Sequence, residues 1–290
     1  MADFSFLFNL VAQQWTILAP RRSKRPNSSK GTTSDVCPFC IGQETSEEEL
    51  YRLGGKDHDS DWEVRVTTNK FPFAPSHEII IHSPDHHKNF DELPLDQVEK
   101  ILRVFRDRYA MHQEKGQVLI FHNHGEAAGE SLPHPHTQLV VISHDVKLSI
   151  EPKVFPEYPH ETDYFQIFSP TTAKWPDEVW IIPKRNGTTF GEIMDEELTN
   201  LAMVLQRSIQ LLDMRHGDEF PFNFYITPGK NWYLKLIPRL KIIGGFEVAT
   251  NIFVNTQDPA ETNTFIKARF DTTDIEEKEK KDRADYARMV

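Results

Sequence analysis

The residues able to do chemistry crowd into one stretch. Ten of the thirteen histidines lie between His77 and His144. At the centre stands Asn123-His124-Gly125-Glu126-Ala127-Ala128-Gly129-Glu130-Ser131-Leu132-Pro133-His134-Pro135-His136-Thr137-Gln138. In an extended backbone alternate side chains share a face, so His134, His136 and Gln138 point the same way. Pro133 and Pro135 stiffen the segment, each by its fixed φ and by disfavouring helix at the residue before it. Upstream, two glycines and a serine form a loop whose backbone amides can approach an anion. A rigid histidine pair with a carboxamide beside a glycine loop suits nucleophilic attack on phosphorus. The competing reading is a metal-binding or solvent-exposed histidine-rich turn.

Both cysteines of the chain occur in Cys37-Pro38-Phe39-Cys40. Such a pair reads as half of a zinc site, a redox couple or coincidence. The redox reading wants a strand before it and a helix N-terminus after it, and here a Ser/Thr/Gly loop precedes. Two thiolates and two imidazoles complete a tetrahedral zinc site. The imidazoles on offer are His86, in Ser83-Pro84-Asp85-His86, and one of the central pair. A nucleophile cannot also be a ligand, so His134 is the better ligand and His136 remains for chemistry.

The whole chain has 290 residues, with 38% apolar and 27% charged, an ordinary globular profile. Two cysteines exclude a disulfide scaffold and point to a reducing, cytoplasmic compartment. No apolar run approaches the roughly 20 residues that cross a bilayer, and Phe4 to Ala12 reads as a packed first element rather than a signal peptide. The net charge of −11 disfavours nucleic acid as a partner. Small phosphorylated ligands remain, because Arg21, Arg22, Lys24 and Arg25 place four cations in five residues.

The elements that must position these groups follow from periodicity. Strands are predicted over 15–20, 62–68, 78–82, 117–122 and 137–142, and a helix over 95–109 from apolar positions at helical spacing. The pattern then returns 100 residues on: Glu178-Val179-Trp180-Ile181-Ile182 mirrors Glu78-Ile79-Ile80-Ile81-His82, Phe190 mirrors Phe90, and a helix over 195–212 mirrors the first. Two copies of one strand–helix–strand–strand unit are therefore expected, in an α+β fold with domains 1–150 and 151–270 and a charged tail over 271–290. The second copy has Asn231-Trp232-Tyr233-Leu234-Lys235 where the first has its histidine pair. One copy then carries the chemistry. His77, His82, His122 and His124 read as structural.

In order, Trp15 to Pro26, CPFC, Arg65 to Phe73, SPDH, Asn123 to Gln138 and Gly244-Gly245-Phe246-Glu247 resemble the galactose-1-phosphate uridylyltransferase family of the histidine-triad superfamily, with its branch of nucleotide-sugar phosphorylases. The resemblance implies two tandem histidine-triad-like repeats, with antiparallel sheets flanked by helices. It implies His136 as the residue that becomes nucleotidylated and Gln138 as a hydrogen-bond donor to the transferred group. It implies Zn2+ on Cys37, Cys40, His86 and His134. Arg22, Arg25, Asn123, Gly129 and Ser131 are expected near phosphates, Asn69 near the nucleoside, and Lys241 and Glu247 near the sugar. The last two also read as solvated charges.

The implied partners are a nucleotide-sugar and a sugar 1-phosphate or orthophosphate, with the homodimer as the implied assembly. Lys70 stands where the uridylyltransferases carry an acidic residue, which leaves the base open. The alternatives are a dinucleotide or nucleotide-sugar hydrolase of the same superfamily, or an idle nucleotide-binding scaffold. Gln138, where hydrolases place a third histidine, and the intact His136 weigh against both.

Overall fold

The computed structural model describes residues 4–24, 36–56 and 60–272. Arg25, expected near a phosphate, and all of the charged tail beyond residue 272 lie outside the described residues.

A short hairpin comes first, β1 (Ser5–Asn9) with β2 (Gln14–Leu18), followed by a 3-10 turn over Pro20–Lys24 that carries the basic run. The hairpin is less packed than expected, since Leu10 and Val11 are 76% and 96% exposed. The rest forms one antiparallel sheet of ten strands. Its first half is β3 (Glu49–Leu53), β4 (Val64–Thr68), β5 (Ser76–Ile81), β6 (Gln117–His124) and β7 (His136–Ile142), with helix α1 (Leu95–His112) between β5 and β6. Its second half is β8 (His160–Glu161), β9 (Phe165–Phe168), β10 (Val179–Pro183), β11 (Phe222–Ile226) and β12 (Leu234–Pro238), with α2 (Asp195–His216) between β10 and β11. Two short helices follow, α3 (Gly245–Thr250) and α4 (Pro259–Arg269).

The order across the sheet is β3-β4-β5-β7-β6-β11-β12-β10-β9-β8. Read outward from the β6–β11 seam, the two halves are the same. The fold is thus two tandem histidine-triad-like repeats in one α+β sheet. Both helices lie on one face. Val98, Ile101, Leu102 and Phe105 of α1 and, 100 residues on, Leu198, Leu201, Ala202 and Leu205 of α2 are buried there with Ile80, Leu139, Ile181 and Phe224. These helix positions recur at i, i+3, i+4 and i+7, as an amphipathic face requires. The opposite, open face carries His136 and Gln138.

One correction concerns the mirrored strands. At a spacing of 100 residues Glu178 matches Glu78, yet the two face opposite sides. Glu78 turns to the helices, where Arg108 and His112 hold it at 2.6–2.8 Å. Glu178 turns to the open face, with Lys235 at 2.7 Å. The structural match is displaced by one residue, because a one-residue slip in a strand moves every side chain to the other face. Ile80 therefore corresponds to Ile181, and His77 to Glu178.

Candidate active site and metal centre

The Cys37–Cys40 turn, the Ser83–His86 corner and the stiffened start of β7 converge at one end of the first half. Ligand atoms of Cys37, Cys40, His86 and His134 lie within 4.8 Å of one another. Cys40 Sγ is 3.1 Å from His86 Nδ1 and 3.6 Å from His134 Nδ1, and Cys37 Sγ is 3.8 Å from His134 Nδ1. Zinc bonds of about 2.0–2.3 Å put neighbouring tetrahedral ligands roughly 3.5 Å apart, so the spacing fits a metal. The outer contacts fit too. His134 Nε2–H donates to the Ser83 carbonyl at 2.8 Å, which leaves the Nδ1 lone pair facing the sulfurs, the usual way an outer partner selects a ligating tautomer. Burial lowers the His134 pKa to about 4, helped by the neighbouring His86 and His136 rings, so the ring is neutral and able to ligate. Burial, with Cys40 beside it, pushes the Cys37 thiol up to about 11; a bound cation is what would reverse that.

His136 starts β7 on the open face, outside this cluster. Its Nδ1–H donates to the His134 carbonyl at 2.8 Å, which puts the lone pair on Nε2. The ring is 4% exposed and meets Phe39, from the cysteine turn, edge-on at 5.3 Å between centroids. Two residues on, Gln138 Oε1 lies 2.9 Å from His77 Nε2. The same nitrogen is 3.0 Å from Asn69 Nδ2, and Asn69 Oδ1 accepts from the Phe71 amide at 2.8 Å. His77 Nδ1 accepts from the Phe73 amide, so Nε2–H donates to Gln138 Oε1 while the Asn69 carboxamide only abuts the ring; His77, expected to be structural, thus holds Gln138 on the open face. Its signal in the sequence was its parity: it precedes Ile79 and Ile81 at alternate positions on a strand beside β7.

Beneath β7, on the helix side, His82 Nε2 reaches Thr137 Oγ1 at 2.8 Å and His122 Nδ1–H donates to the His136 carbonyl at 2.9 Å. Complete burial holds both imidazoles well below their ordinary pKa. These two are structural, as expected.

On β6 the pair His122↔Thr137 brings Asn123 alongside His136 at the next step of the ladder. The loop after it runs in a 3-10 turn over Glu126–Ala128. Gly125 sits at φ +81°, and a Cβ there would meet Pro221 Cβ at 2.9 Å, so the loop start passes β11 too closely for another residue. The amides of Ala128, Gly129 and Glu130 already donate to the carbonyls of Gly125, Glu126 and Gly125. The amides of both loop glycines are thus committed inside the loop, Gly125 to the Glu130 carboxylate and Gly129 to the Glu126 carbonyl. Asn123 and the buried Ser131 are the loop's side-chain donors beside β7.

Arg22 NH1 donates to the Phe71 carbonyl at 2.6 Å and its guanidinium lies 4.8 Å over the Phe73 ring, next to the Asn69 corner. Lys241 and Glu247 pair with each other at 2.7 Å, and Lys241 also donates to the Val254 carbonyl. Among the described residues neither makes a polar contact with β7. Lys70 is exposed and 3.7 Å from Glu47.

In the second half the equivalent positions are filled and closed. Gln138 lies opposite Ile79 and Lys235 opposite Trp180; the residue two before each partner, His77 or Glu178, holds it. Lys235 Nζ is bound by Glu178 at 2.7 Å and Glu151 at 2.6 Å, under a Trp180–Tyr233 stack at 4.3 Å. Paired charges and stacked rings leave no room there for the chemistry of the first half.

Residues 56–145 match the family described as galactose-1-phosphate uridyl transferase, N-terminal domain. Over 86% of its length the chain is 26% identical to ADP-glucose phosphorylase of Arabidopsis thaliana, 88% of which is covered. It is also 26% identical to galactose-1-phosphate uridylyltransferase of Thermotoga maritima, across 88% of this chain and 95% of that one. The solved structure of the Arabidopsis thaliana ADP-glucose phosphorylase with bound ADP-glucose matches with a TM-score of 0.68 at 25% identity, over 91% of this chain and 98% of that one. Sheet, paired repeats and Cys2His2 cluster define a histidine-triad-type protein. These likenesses relate the chain to the galactose-1-phosphate uridylyltransferases and ADP-glucose phosphorylase, through a family match over residues 56–145 and relatives 26% identical.

Proposed function

We propose that the chain is a nucleotidyltransferase that moves a nucleoside monophosphate from an NDP-sugar to a sugar 1-phosphate or orthophosphate by way of a nucleotidyl group on His136. The observation that carries this is the His136 ring itself. It is oriented by the His134 carbonyl, lies outside the metal cluster and presents Nε2 on the open face.

The Nε2 lone pair attacks the α-phosphorus. The bond from that phosphorus to the bridging oxygen breaks, and sugar 1-phosphate leaves with the electron pair. The ring keeps its Nδ1 proton, and the His134 carbonyl stabilises the positive charge that develops. An acceptor phosphate oxygen then attacks the same phosphorus, and the P–N electron pair returns to Nε2. Gln138, held by His77, and Asn123 and Ser131 are suited to donate to the phosphoryl oxygens as charge grows. Asn69 and Arg22 border the nucleoside side. Gly129 shapes the phosphate loop, its own amide taken up by the turn, and the Lys241–Glu247 pair is assigned to the sugar. Cys37, Cys40, His86 and His134 suit Zn2+ by donor type; when bound it braces the strand bearing His136 and enters no step.

The catalytic unit in this reading is residues 1–150, with 151–270 completing the sheet. Among the described residues no helix is long and apolar enough to cross a membrane; the cytoplasmic assignment rests on the two free cysteines. A homodimer has a surface to use, since Ile242, Phe246, Val248 and Ile252 are 54–89% exposed along one segment.

The test offers purified protein ADP-glucose and UDP-glucose labelled at the α-phosphate. Acid-labile, base-stable label on wild type and none on His136→Ala is expected. Release of that label by orthophosphate, galactose 1-phosphate or water then separates phosphorylase, transferase and hydrolase. No label from either donor leaves an idle scaffold.

A further inference from the structure

The seam between the two repeats carries a polar chain that runs from the second half into the site. Arg239, one residue past β12, donates from NH1 to Asn223 Oδ1 at 2.9 Å. Asn223 Nδ2 donates to Asn123 Oδ1 at 2.8 Å and to the Ala128 carbonyl at 2.9 Å. Asn223 and Asn123 are directly paired across β11 and β6, and Asn123 in turn stands beside His136.

The direction of this chain follows from chemistry rather than from the labelling of amide atoms. A guanidinium only donates, so the Asn223 atom facing Arg239 must be its oxygen. The nitrogen then faces Asn123 and the Ala128 carbonyl, both of which must accept. Asn123 therefore turns its own oxygen to the seam. The two polar atoms of a carboxamide diverge, so its NH2 points away from β11 and toward β7.

Arg239 is well fixed for such a task. Its guanidinium stacks over the Trp175 ring at 4.6 Å, its amide donates to the Pro221 carbonyl at 2.6 Å, and no carboxylate pairs with it among the described residues. Burial lowers its pKa, yet a guanidinium remains charged at neutral pH.

We propose that Arg239 is a positioning residue, which through Asn223 holds the Asn123 carboxamide with its NH2 toward the phosphoryl oxygens at His136. This rests on the nucleotidyl-transfer reading above. It explains why residues of the second repeat, whose own site is closed, matter to the first. Neither Arg239 nor Asn223 touches the reacting atoms.

The test measures the single-turnover rate of α-phosphate label transfer from ADP-glucose and UDP-glucose. Asn223→Asp keeps the size and the acceptor for Arg239 but replaces the donor to Asn123 with a second acceptor, so Asn123 must reverse its amide, giving its NH2 to the carboxylate and turning its oxygen toward β7. The labelling rate should drop about 10- to 100-fold, the scale of losing a partner that orients a contacting group, while the melting temperature holds. Asn123→Ala should add less than about threefold to that loss, since coupled residues are not additive. Arg239→Met should be slow as well, and Arg239→Lys, which keeps a donor, should recover most of the rate; this pair serves if Asn223→Asp fails to fold. Label at the wild-type rate in Asn223→Asp or Arg239→Met, or additive losses with Asn123→Ala, overturns the inference alone. No label on wild type overturns it together with the functional reading.

Discussion

His136 and His134, two residues apart in one strand entry, hold opposite tautomers. His134 donates from Nε2 to the Ser83 carbonyl and His136 donates from Nδ1 to the carbonyl of His134. One ring therefore offers Nδ1 to the cysteines while the other offers Nε2 to the open face. A shared backbone joins the candidate metal cluster to the proposed nucleophile without either borrowing the other's lone pair.

Replacing the two rings should separate their roles. His136→Ala should retain one metal per chain and lose label transfer by at least about 10³-fold, as expected for a missing nucleophile. His134→Ala and Cys37→Ser should lose most of the metal and also melt earlier. Metal content by elemental analysis beside the label assay decides this; full metal in Cys37→Ser would remove it from the ligand set.

His77 should matter through Gln138. His77→Ala removes a hydrogen bond worth about 1 kcal/mol, so label transfer should slow about five- to tenfold with metal content unchanged. An unaltered single-turnover rate would return His77 to a purely structural role.

The closed half should affect stability and not chemistry. Lys235→Ala leaves the buried Glu178 without its cation, while the partly exposed Glu151 keeps Lys174, a loss of about 3–5 kcal/mol by analogy with broken buried pairs. Urea unfolding should show it, while the labelling rate of the folded variant stays within about twofold, as for independent sites.

Acid should weaken the helix side of the sheet through Glu78. Burial pushes its carboxyl up, but the hydrogen bonds from His112 and Arg108 outweigh that and hold its pKa below the ordinary value. A carboxylate depressed on folding stabilises above its unfolded pKa of about 4.3 and loses that contribution as pH falls through the folded value. Wild type should therefore exceed Glu78→Gln in unfolding free energy at pH 7, with the gap closing below about pH 4. A gap that stays constant to pH 3 contradicts this.

Much of the site was legible because its chemistry is local. The stiffened His-Pro-His segment, the cysteine pair and the Ser-Pro-Asp-His corner identify donor types and order by themselves, and the apolar spacing of α1 picked out its buried face, Val98, Ile101, Leu102 and Phe105 among it. Which amides of the loop its own 3-10 turn takes up is not visible in composition. Asn223 and Arg239 were not picked out, because nothing near them in sequence hints at their partners, and the parity of His77 with Ile79 and Ile81 marked its face but not its partner Gln138.

What the sequence determined on its own was the set of chemical groups, the doubling of the unit and the helix faces, all of which depend on neighbours within a few positions. Strand faces were left to the tertiary structure. β7 and β10 are buried on both sides, so no alternation marks which residues face the helices, and the slip between Glu78 and Glu178 is invisible without the register. The same holds for the approach of Cys37 to His134 and for the chain from Arg239 through Asn223 to Asn123. The contacts of Cys37 with His134 and of Asn223 with Asn123 join residues 97 and 100 positions apart, and the pairing of the sheet decides whether they meet.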